Sequence, residues 1–351
     1  MMKTLRSPIP FLLENGCVLP QLDIAYHTSG QLNKKGNNVI WVCHALTASS
    51  DAADWWSGLI GEGKLFDPKR YFIVCANMLG SCYGASNADS INPINGKRYG
   101  ADFPLISIRD MVNSHRILQH HLGIKKIQLA IGGSMGGQQV LEWSIMDPDL
   151  IEQSVIIAAG ASLNAWSRGW NAAQRLALEA DPTLFDDSIN AGAKGLEAAR
   201  AMGMLCYRTY EAYNELQVDH PEALENFRIE SYLRYQGLKL SKRFTATAYW
   251  SVCRSMDTHH VGRGRGGVEA ALGSISADSL VIGIQSDILF PINEQIEIAN
   301  YIPNAQLEII DSPYGHDGFL IEHEKLTSII DKFMKKEAYH AKRLTARLEA
   351  A

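Results

Sequence analysis

Residues 131–137 read Ile-Gly-Gly-Ser-Met-Gly-Gly, so Ser134 has a glycine two positions away on both sides. The stretch before it is apolar like a strand, and residues 138–146 have the composition of a helix. A serine on a tight turn between a strand and a helix, in a G-x-S-x-G sequence, is typical of a nucleophile elbow. The alternatives are a glycine-rich turn without a chemical role and a phosphate-binding loop. The G-x-x-x-x-G-K-S/T or G-x-G-x-x-G spacing of a phosphate-binding loop is not met. Ser134 is therefore the candidate nucleophile.

A serine becomes reactive only beside a base, and the base needs an acid to orient it. In α/β proteins with this elbow, the acid and then the histidine follow the serine along the chain. Asp287 comes directly after one apolar run, and His316 lies in the loop after the next. Asp311 is a rival acid, but it stands too near His316 in the same loop to approach the imidazole from behind. The predicted triad is Ser134, Asp287 and His316.

The loop that begins at His44 is predicted to help stabilise an oxyanion. In this architecture, one backbone N–H comes from such a loop and the other from the residue after the nucleophile. The candidates are the amides of Leu46 and Met135. His44 itself fits a place in this loop better than a role as the base. Four further histidines lie in segments of helical composition and are weaker candidates still: His120, His121, His259 and His260.

Short apolar runs recur along the chain and predict a parallel sheet. The runs span residues 39–43, 71–75, 127–131, 155–158, 280–284 and 307–310. They are nearly continuous rather than alternating, which is typical of strands covered on both faces. Helix-like stretches such as 107–122 lie between several of them. The sequence therefore predicts an α/β fold with a mostly parallel central sheet flanked by helices.

No strand-like run occurs between about residues 161 and 274, where four stretches have helical composition (165–180, 193–216, 221–243 and 245–256). We predict a core domain formed by residues 1–160 and 275–351, with residues 161–274 inserted as a helical lid. Ligands of open α/β sheets bind at the carboxyl ends of the strands. The lid is expected to lie over that edge. Its many apolar side chains exceed what one lid must cover, which favours pairing with a second copy.

The composition excludes several classes of protein. The 351 residues carry 33 Lys and Arg against 38 Asp and Glu, a net charge of −5. A nucleic-acid or anionic-membrane binder would need a basic excess or stripe. No stretch approaches the length of a membrane helix, and the six cysteines form no C-x-x-C pair. We expect a cytoplasmic protein without a metal site.

Ten motifs, in order from about residue 10 to residue 330, resemble those of homoserine O-acetyltransferases. They are His44-Ala-Leu-Thr, Leu79-Gly-Ser-Cys-Tyr-Gly, Ser90-Ile-Asn-Pro, Asp102-Phe-Pro, Ile108-Arg-Asp-Met, Gly132-Gly-Ser-Met-Gly-Gly with Leu141-Glu-Trp, Ser231-Tyr-Leu-Arg-Tyr-Gln-Gly, Val261-Gly-Arg-Gly-Arg-Gly-Gly, Ser286-Asp-Ile-Leu-Phe-Pro and Ser312-Pro-Tyr-Gly-His-Asp. The resemblance implies an α/β-hydrolase fold with a helical lid.

The resemblance also implies an activity: transfer of an acetyl group from acetyl-CoA to homoserine through an acyl-serine, on the route to methionine. Acetyl-CoA would be a co-substrate, no cofactor is implied, and members of the family are homodimers. The resemblance further implies two substrate-binding residues: Arg200 would bind the carboxylate of homoserine, and Asp317 would bind its ammonium. Such pairs suit a zwitterion, since a guanidinium grips a carboxylate through two hydrogen bonds. Arg175 and Arg208 are alternatives to Arg200.

Several alternatives remain open at this point. The sequence Ala48–Asp51 departs from the family's pattern in a loop expected to line the acyl pocket, and Gly318 stands where alanine is usual. A succinyl donor would need a cation in the acyl pocket, and residues 46–54 contain none. Serine as acceptor, hydrolysis of a small ester, and a non-catalytic binding protein are the other hypotheses. Arg263 and Arg265 are hypothetical contacts for the phosphates of CoA.

Overall fold

The protein is built around one eight-stranded sheet. A computed structural model of the chain describes residues 1–188 and 190–335. The strands are β1 (Lys3–Arg6), β4 (Asp23–Ser29), β5 (Val39–Cys43), β6 (Phe72–Ala76), β7 (Ile127–Gly133), β8 (Ile151–Ile157), β9 (Asp278–Ile284) and β10 (Ala305–Ile310), while β2 (Phe11–Leu12) and β3 (Val18–Leu19) form a separate hairpin. The order across the sheet is β1-β4-β6-β5-β7-β8-β9-β10.

In the described residues, the strands β6, β5, β7, β8, β9 and β10 are parallel to one another. At one edge of the sheet, β4 pairs antiparallel with both β6 and β1. All five residues of β5 are buried, with Val39, Trp41 and Cys43 in one apolar cluster and Ile40 and Val42 in the other. Each face of the sheet is therefore covered, which explains the continuous apolar runs. The six predicted strands are all present. The antiparallel edge was not predicted, because β1 and β4 contain few apolar residues.

Helices flank the sheet on both faces. They are α1 (Ala52–Trp55), α2 (Ile108–His121), α3 (Met135–Met146), α4 (Ala165–Glu179), α5 (Ala193–Tyr207), α6 (Tyr210–Leu216), α7 (Arg228–Ser241), α8 (Ala246–Asp257), α9 (Val268–Gly273), α10 (Ile292–Tyr301) and α11 (Gly318–Ile321), and residues 323–335 are also helical. A capping box fixes the start of α2, since Ser107 Oγ accepts from the Asp110 N–H and Asp110 accepts from the Ser107 N–H.

Among the described residues between β8 and β9, the chain forms six helices, α4 to α9. The predicted helix over 193–216 is broken in two, because Thr209 caps α6 by accepting a hydrogen bond from the Ala212 N–H at 3.0 Å. The division into core and lid domains stays a prediction, and residues 336–351, assigned to the core, lie outside the described residues. In the described part of the chain, no helix combines the length and apolar character needed to span a bilayer. The cytoplasmic location stays a prediction.

A cluster of five charged side chains ties the end of the helical segment to the sheet layer. Glu142 of α3 accepts from Arg109 Nε at 2.7 Å and from Arg265 at 2.6 and 2.9 Å. Glu14 accepts from Arg109 at 2.8 Å and from Arg263 at 2.8 and 3.0 Å. Glu142 is 2% exposed, yet its pKa is lowered, since the two guanidiniums outweigh the effect of burial. The cluster fixes the 261–267 loop against α2 and α3.

Replacing Glu142 by glutamine should destabilise the protein, because two largely buried guanidiniums would lose a charged partner. We expect a loss of about 3 kcal/mol in the free energy of unfolding. The control is Glu230→Gln, whose partner Arg234 is 78% exposed; this change should cost less than about 0.5 kcal/mol. Urea denaturation of both variants measures the difference. Equal losses would contradict a structural role for the cluster.

Candidate active site

Ser134 lies at the junction of β7 and α3 in a backbone conformation that is rare for a serine. Its φ is 56° and its ψ is −127°, and its N–H donates to the Ile157 carbonyl of β8 at 2.9 Å. A side chain on Gly136 would overlap the Cys43 carbonyl, and one on Gly132 would overlap Gly136. Only glycine allows the backbones to approach so closely. This geometry is that of a nucleophile elbow.

Asp287 and His316 lie in the loops after the neighbouring strands β9 and β10 and contact each other directly. His316 Nδ1 is 2.7 Å from Asp287 Oδ2, and both residues are buried, at 3% and 4% exposure. Asp287 Oδ1 accepts from the backbone N–H groups of Leu289 and Phe290 at 2.8 and 2.9 Å. The carboxylate is thus held by three hydrogen bonds. The rival Asp311 is exposed and forms no such contact with the imidazole.

Ser134 and His316 line the same pocket, which has an empty volume of about 570 Å³ and opens to solvent. The other lining residues are Ala45, Leu46, Thr47, Asn171, Gln174, Arg200, Tyr207, Met256, Leu289, Asp317, Phe319 and Leu320. The core strands supply Ser134 and His316, whereas Asn171, Gln174, Arg200 and Tyr207 come from α4 and α5. The pocket therefore lies between the sheet edge and the helical segment.

The pKa of His316 is raised above its ordinary value. Burial alone would lower the pKa, because it disfavours the charged imidazolium. The carboxylate of Asp287 outweighs this effect, and the charge of Asp317 adds to it. With Nδ1 directed at Asp287, the other ring nitrogen, Nε2, is left to exchange protons in the pocket. This arrangement suits a general base.

Both predicted oxyanion donors lie beside the nucleophile. Leu46 lines the pocket, and Met135 begins α3, where the first N–H groups of a helix have no acceptor within it. The Gln139 amide donates to the Met135 carbonyl at 3.1 Å and to the His44 carbonyl at 3.2 Å. One side chain thus links the two loops that carry the candidate donors. An acyl oxyanion would bind between them.

His44 has a structural role in this loop. It is fully buried, its Nε2 accepts from the Met78 N–H at 3.0 Å, and its Nδ1 faces the Ala45 carbonyl at 2.9 Å. Burial lowers its pKa to about 4, so the ring is neutral near pH 7. His115 behind it is also buried with a pKa of about 4, and its Nε2 is 2.9 Å from Gln139 Oε1. Both rings support the oxyanion loop.

Arg200 and Asp317 are the two fully charged side chains, of opposite sign, that line the pocket in the described part of the chain. Of the three candidate arginines, Arg175 pairs with Asp257 at 2.6 Å and Arg208 with Asp317 at 2.7 Å. Arg200 pairs with no carboxylate among the described residues, and its guanidinium lies 5.6 Å from the centre of the Tyr207 ring. Arg200 is therefore the arginine available to a ligand.

The pocket contains polar side chains that the sequence did not single out. Asn171 and Gln174 lie one turn apart on α4, and Tyr207 lies two turns after Arg200 on α5. The spacings 171/174 and 200/207 place each pair on one face of its helix. This periodicity was the available signal, but it does not show which face meets the pocket. The Asp317–Arg208 ion pair was also missed.

The two loops singled out in the sequence lie outside the pocket lining. Arg263 and Arg265 do not line the pocket, and their guanidiniums bind Glu14 and Glu142. Their contact with CoA phosphates stays a hypothesis. Residues 48–51 do not line the pocket either. Ser50 is instead buried against Asn77, whose side-chain oxygen accepts the Ser50 N–H at 2.7 Å. The loop residues that line the pocket with Ser134 are 45–47 rather than 48–51.

The family model for the alpha/beta hydrolase fold matches residues 38–322. A homoserine O-acetyltransferase of Cyclobacterium marinum is 48% identical over 321 residues, which cover 92% of each chain. The chain belongs to the homoserine O-acetyltransferase family. The predicted α/β-hydrolase fold is confirmed, and the protein is an enzyme of the acyltransferase class.

Solved structures agree with this fold. A homoserine O-acetyltransferase from Bacillus anthracis superposes with a TM-score of 0.89 at 22% identity, covering 95% of this chain and 98% of that one. The esterase E22 superposes with a TM-score of 0.87 at 23% identity, covering 95% of this chain and 100% of that one. Since an acetyltransferase and an esterase share the architecture equally well, the fold does not separate the two activities.

The acid limb of the pH profile should follow His316. A general base must be neutral, so the rate falls as the pH drops through the raised pKa of this residue. Asp317→Asn removes a negative charge that raises the pKa, so the acid limb should move to lower pH, on the order of half a pH unit. The measurement is the rate of acyl-enzyme formation from a chromogenic acetyl ester, without an acceptor.

Asp311→Asn is the matched control, because this exposed carboxylate is in the same loop but does not contribute to the pKa of His316. Its profile should coincide with that of the unmodified enzyme. A limb that does not move in Asp317→Asn, or that moves equally in both variants, would refute the electrostatic link.

Proposed function

We propose that the enzyme transfers an acetyl group from acetyl-CoA to the hydroxyl of L-homoserine by a ping-pong mechanism, giving O-acetyl-L-homoserine for methionine biosynthesis. The donor, the order of steps and the pathway are parts of this proposal. The curated relatives are homoserine O-acetyltransferases, with 42–48% identity among the eight compared. The residues of the pocket supply the chemistry.

In the first half-reaction, Ser134 Oγ attacks the thioester carbonyl while His316 Nε2 accepts the hydroxyl proton. The resulting oxyanion accepts hydrogen bonds from the Leu46 and Met135 amides. As the C–S bond breaks, the proton on His316 passes to the sulfur, and CoA leaves as the thiol. Asp287 keeps the imidazole oriented and stabilises its charged form. The product is an acetyl ester on Ser134.

In the second half-reaction, the hydroxyl of homoserine attacks this ester while His316 again accepts the proton. The bond from Ser134 to the acetyl group breaks, and the proton returns to the serine oxygen. Arg200 would hold the carboxylate of homoserine, and Asp317 would hold its ammonium. The support for this assignment is the opposite charge of these two pocket residues, which complements a zwitterion.

A neutral acetyl group suits the acyl end of the pocket. Residues 45–47, which line it beside Ser134, are Ala, Leu and Thr, and residues 46–54 contain no cation. A succinyl group would bring a carboxylate, which is costly to bury without a partner. The helical segment over the sheet supports transfer over hydrolysis, since fixed placement of the acceptor and exclusion of water favour transfer.

The observation that carries the proposal is the joint lining of one pocket by Ser134, His316, Arg200 and Asp317. The test is thiol release from acetyl-CoA and succinyl-CoA, each with homoserine, with serine and without acceptor. We expect rapid turnover only with acetyl-CoA and homoserine, and a loss of more than about 1000-fold in Ser134→Ala. Arg98→Met is the control, because its side chain pairs with Asp89 outside the pocket and should leave turnover unchanged.

The other outcomes identify the alternatives. Equal turnover without acceptor would establish a small-ester or thioester hydrolase. Turnover with succinyl-CoA or with serine would change the donor or the acceptor. Full activity of Ser134→Ala would reject the covalent mechanism. Because the same pocket is common to all these reactions, the six combinations of donor and acceptor, including those without acceptor, are compared on one enzyme preparation.

We propose that the enzyme is a homodimer formed through the lid. The support is a group of exposed apolar side chains on α5 to α7 and the segment between α6 and α7: Leu205, Tyr210, Leu216, Leu224, Tyr235 and Leu238. Contiguous exposed apolar surface is typical of interfaces. Tyr235→Glu should convert the dimer to a monomer in light scattering. Ile94→Glu is the control and should leave the dimer intact, because Ile94 is equally an exposed apolar residue but lies outside the lid. A monomeric unmodified enzyme would refute the proposal.

A further inference from the structure

The end of α5 is joined to the loop that carries His316 by side-chain contacts. Arg208 Nε donates to Asp317 Oδ2 at 2.7 Å, and its guanidinium lies 5.7 Å from the centre of the Tyr314 ring. Thr209 Oγ1 donates to the Pro313 carbonyl at 2.6 Å. The side chains of Arg208 and Asp317 are only 22% and 15% exposed. The ion pair is therefore mostly shielded from water and held in one geometry.

The two members of this pair face different surroundings. Asp317 lines the pocket, whereas Arg208 does not. Asp317 Oδ2 is bound to Arg208, while Oδ1 accepts no hydrogen bond among the described residues. One oxygen of the carboxylate is thus bound by Arg208, and the other is available to a ligand cation. This division explains how Asp317 can be paired with Arg208 and still bind an ammonium.

Without Arg208, Asp317 would lose its ion-pair partner, and Arg200 would be the cation beside it in the lining of the pocket. Arg200 and Asp317 line the same small volume, and a mostly buried charge requires a partner. Among the described residues, Arg200 and Asp317 do not form an ion pair with each other, and Asp317 is bound to Arg208 instead. A released Asp317 would turn toward Arg200. Such a pair would occupy both groups that a zwitterionic acceptor needs.

We propose that Arg208 is a positioning residue for acceptor recognition: by holding one oxygen of Asp317, it prevents an Arg200–Asp317 ion pair and keeps both charges available to an amino-acid substrate. This inference rests on the proposed transfer to homoserine. It concerns the second half-reaction only, because acetyl-CoA acylates Ser134 without using the two charges. The positioning role thus predicts an effect that is confined to one substrate.

The test is Arg208→Met, with the two half-reactions measured separately on the full-length enzyme. We expect kcat/KM for homoserine to fall by about 10- to 100-fold, mainly through KM, as when one partner of a buried charge pair is lost. The burst of CoA release that accompanies acylation by acetyl-CoA should change less than about 3-fold. Arg208→Lys should recover part of the loss, since it restores the charge without the planar guanidinium.

Arg98→Met is the matched control, because Arg98 forms an ion pair of similar burial with Asp89 outside the pocket. It should leave KM for homoserine unchanged. An Arg208→Met enzyme with unaltered KM for homoserine, or with both half-reactions slowed equally, would overturn the positioning role. Failure of the unmodified enzyme to release CoA would instead reject the proposed function, so the two failures are distinguishable.

Discussion

The close contact between the end of β5 and the first turn of α3 is the constraint on which the site depends. Gly132 and Gly136 let the backbone pass beside the Cys43 carbonyl, and Ser134 adopts a strained conformation between them. This contact brings the Met135 amide next to the loop of Leu46, and Gln139 fixes the separation by binding carbonyls on both sides. One backbone contact therefore fixes the position of the nucleophile and that of the candidate oxyanion donors together.

Pairing of charges determines which groups a ligand can reach. Arg175, Arg208, Arg263 and Arg265 are each bound to a carboxylate, whereas Arg200 faces the pocket beside Tyr207. Bound arginines orient loops and helices, and the unpaired one can bind an anion. In the proposed reaction, substrate recognition would therefore depend partly on residues that do not touch the substrate, because their ion pairs decide which charges remain free. The helical segment would then contribute to specificity as well as covering the sheet.

Much of the candidate site could be predicted from the sequence, because short motifs and the order of residues along the chain indicate it. The glycines around Ser134, the acid after β9 and the histidine after β10 were readable, since parallel strands bring their carboxyl ends to one edge. The antiparallel edge was not, because β1 has only four residues and β4 mixes polar with apolar residues instead of forming a continuous apolar run. Tyr207, Asn171 and Gln174 were missed because helical periodicity shows which residues share a face of a helix, but not whether that face meets the pocket.

The sequence by itself determined the parallel strands of the core, the nucleophile elbow and the candidate acid and base, whereas Arg200 and Asp317 were implied by the family resemblance. These features depend on spacing within short segments, which chain geometry fixes. Only the tertiary structure decided which arginine is free, that Arg208 holds Asp317, and that Arg263 and Arg265 bind Glu14 and Glu142. Such pairings join residues about 100 or more positions apart, and side chains of one chemical type differ only in what surrounds them after folding.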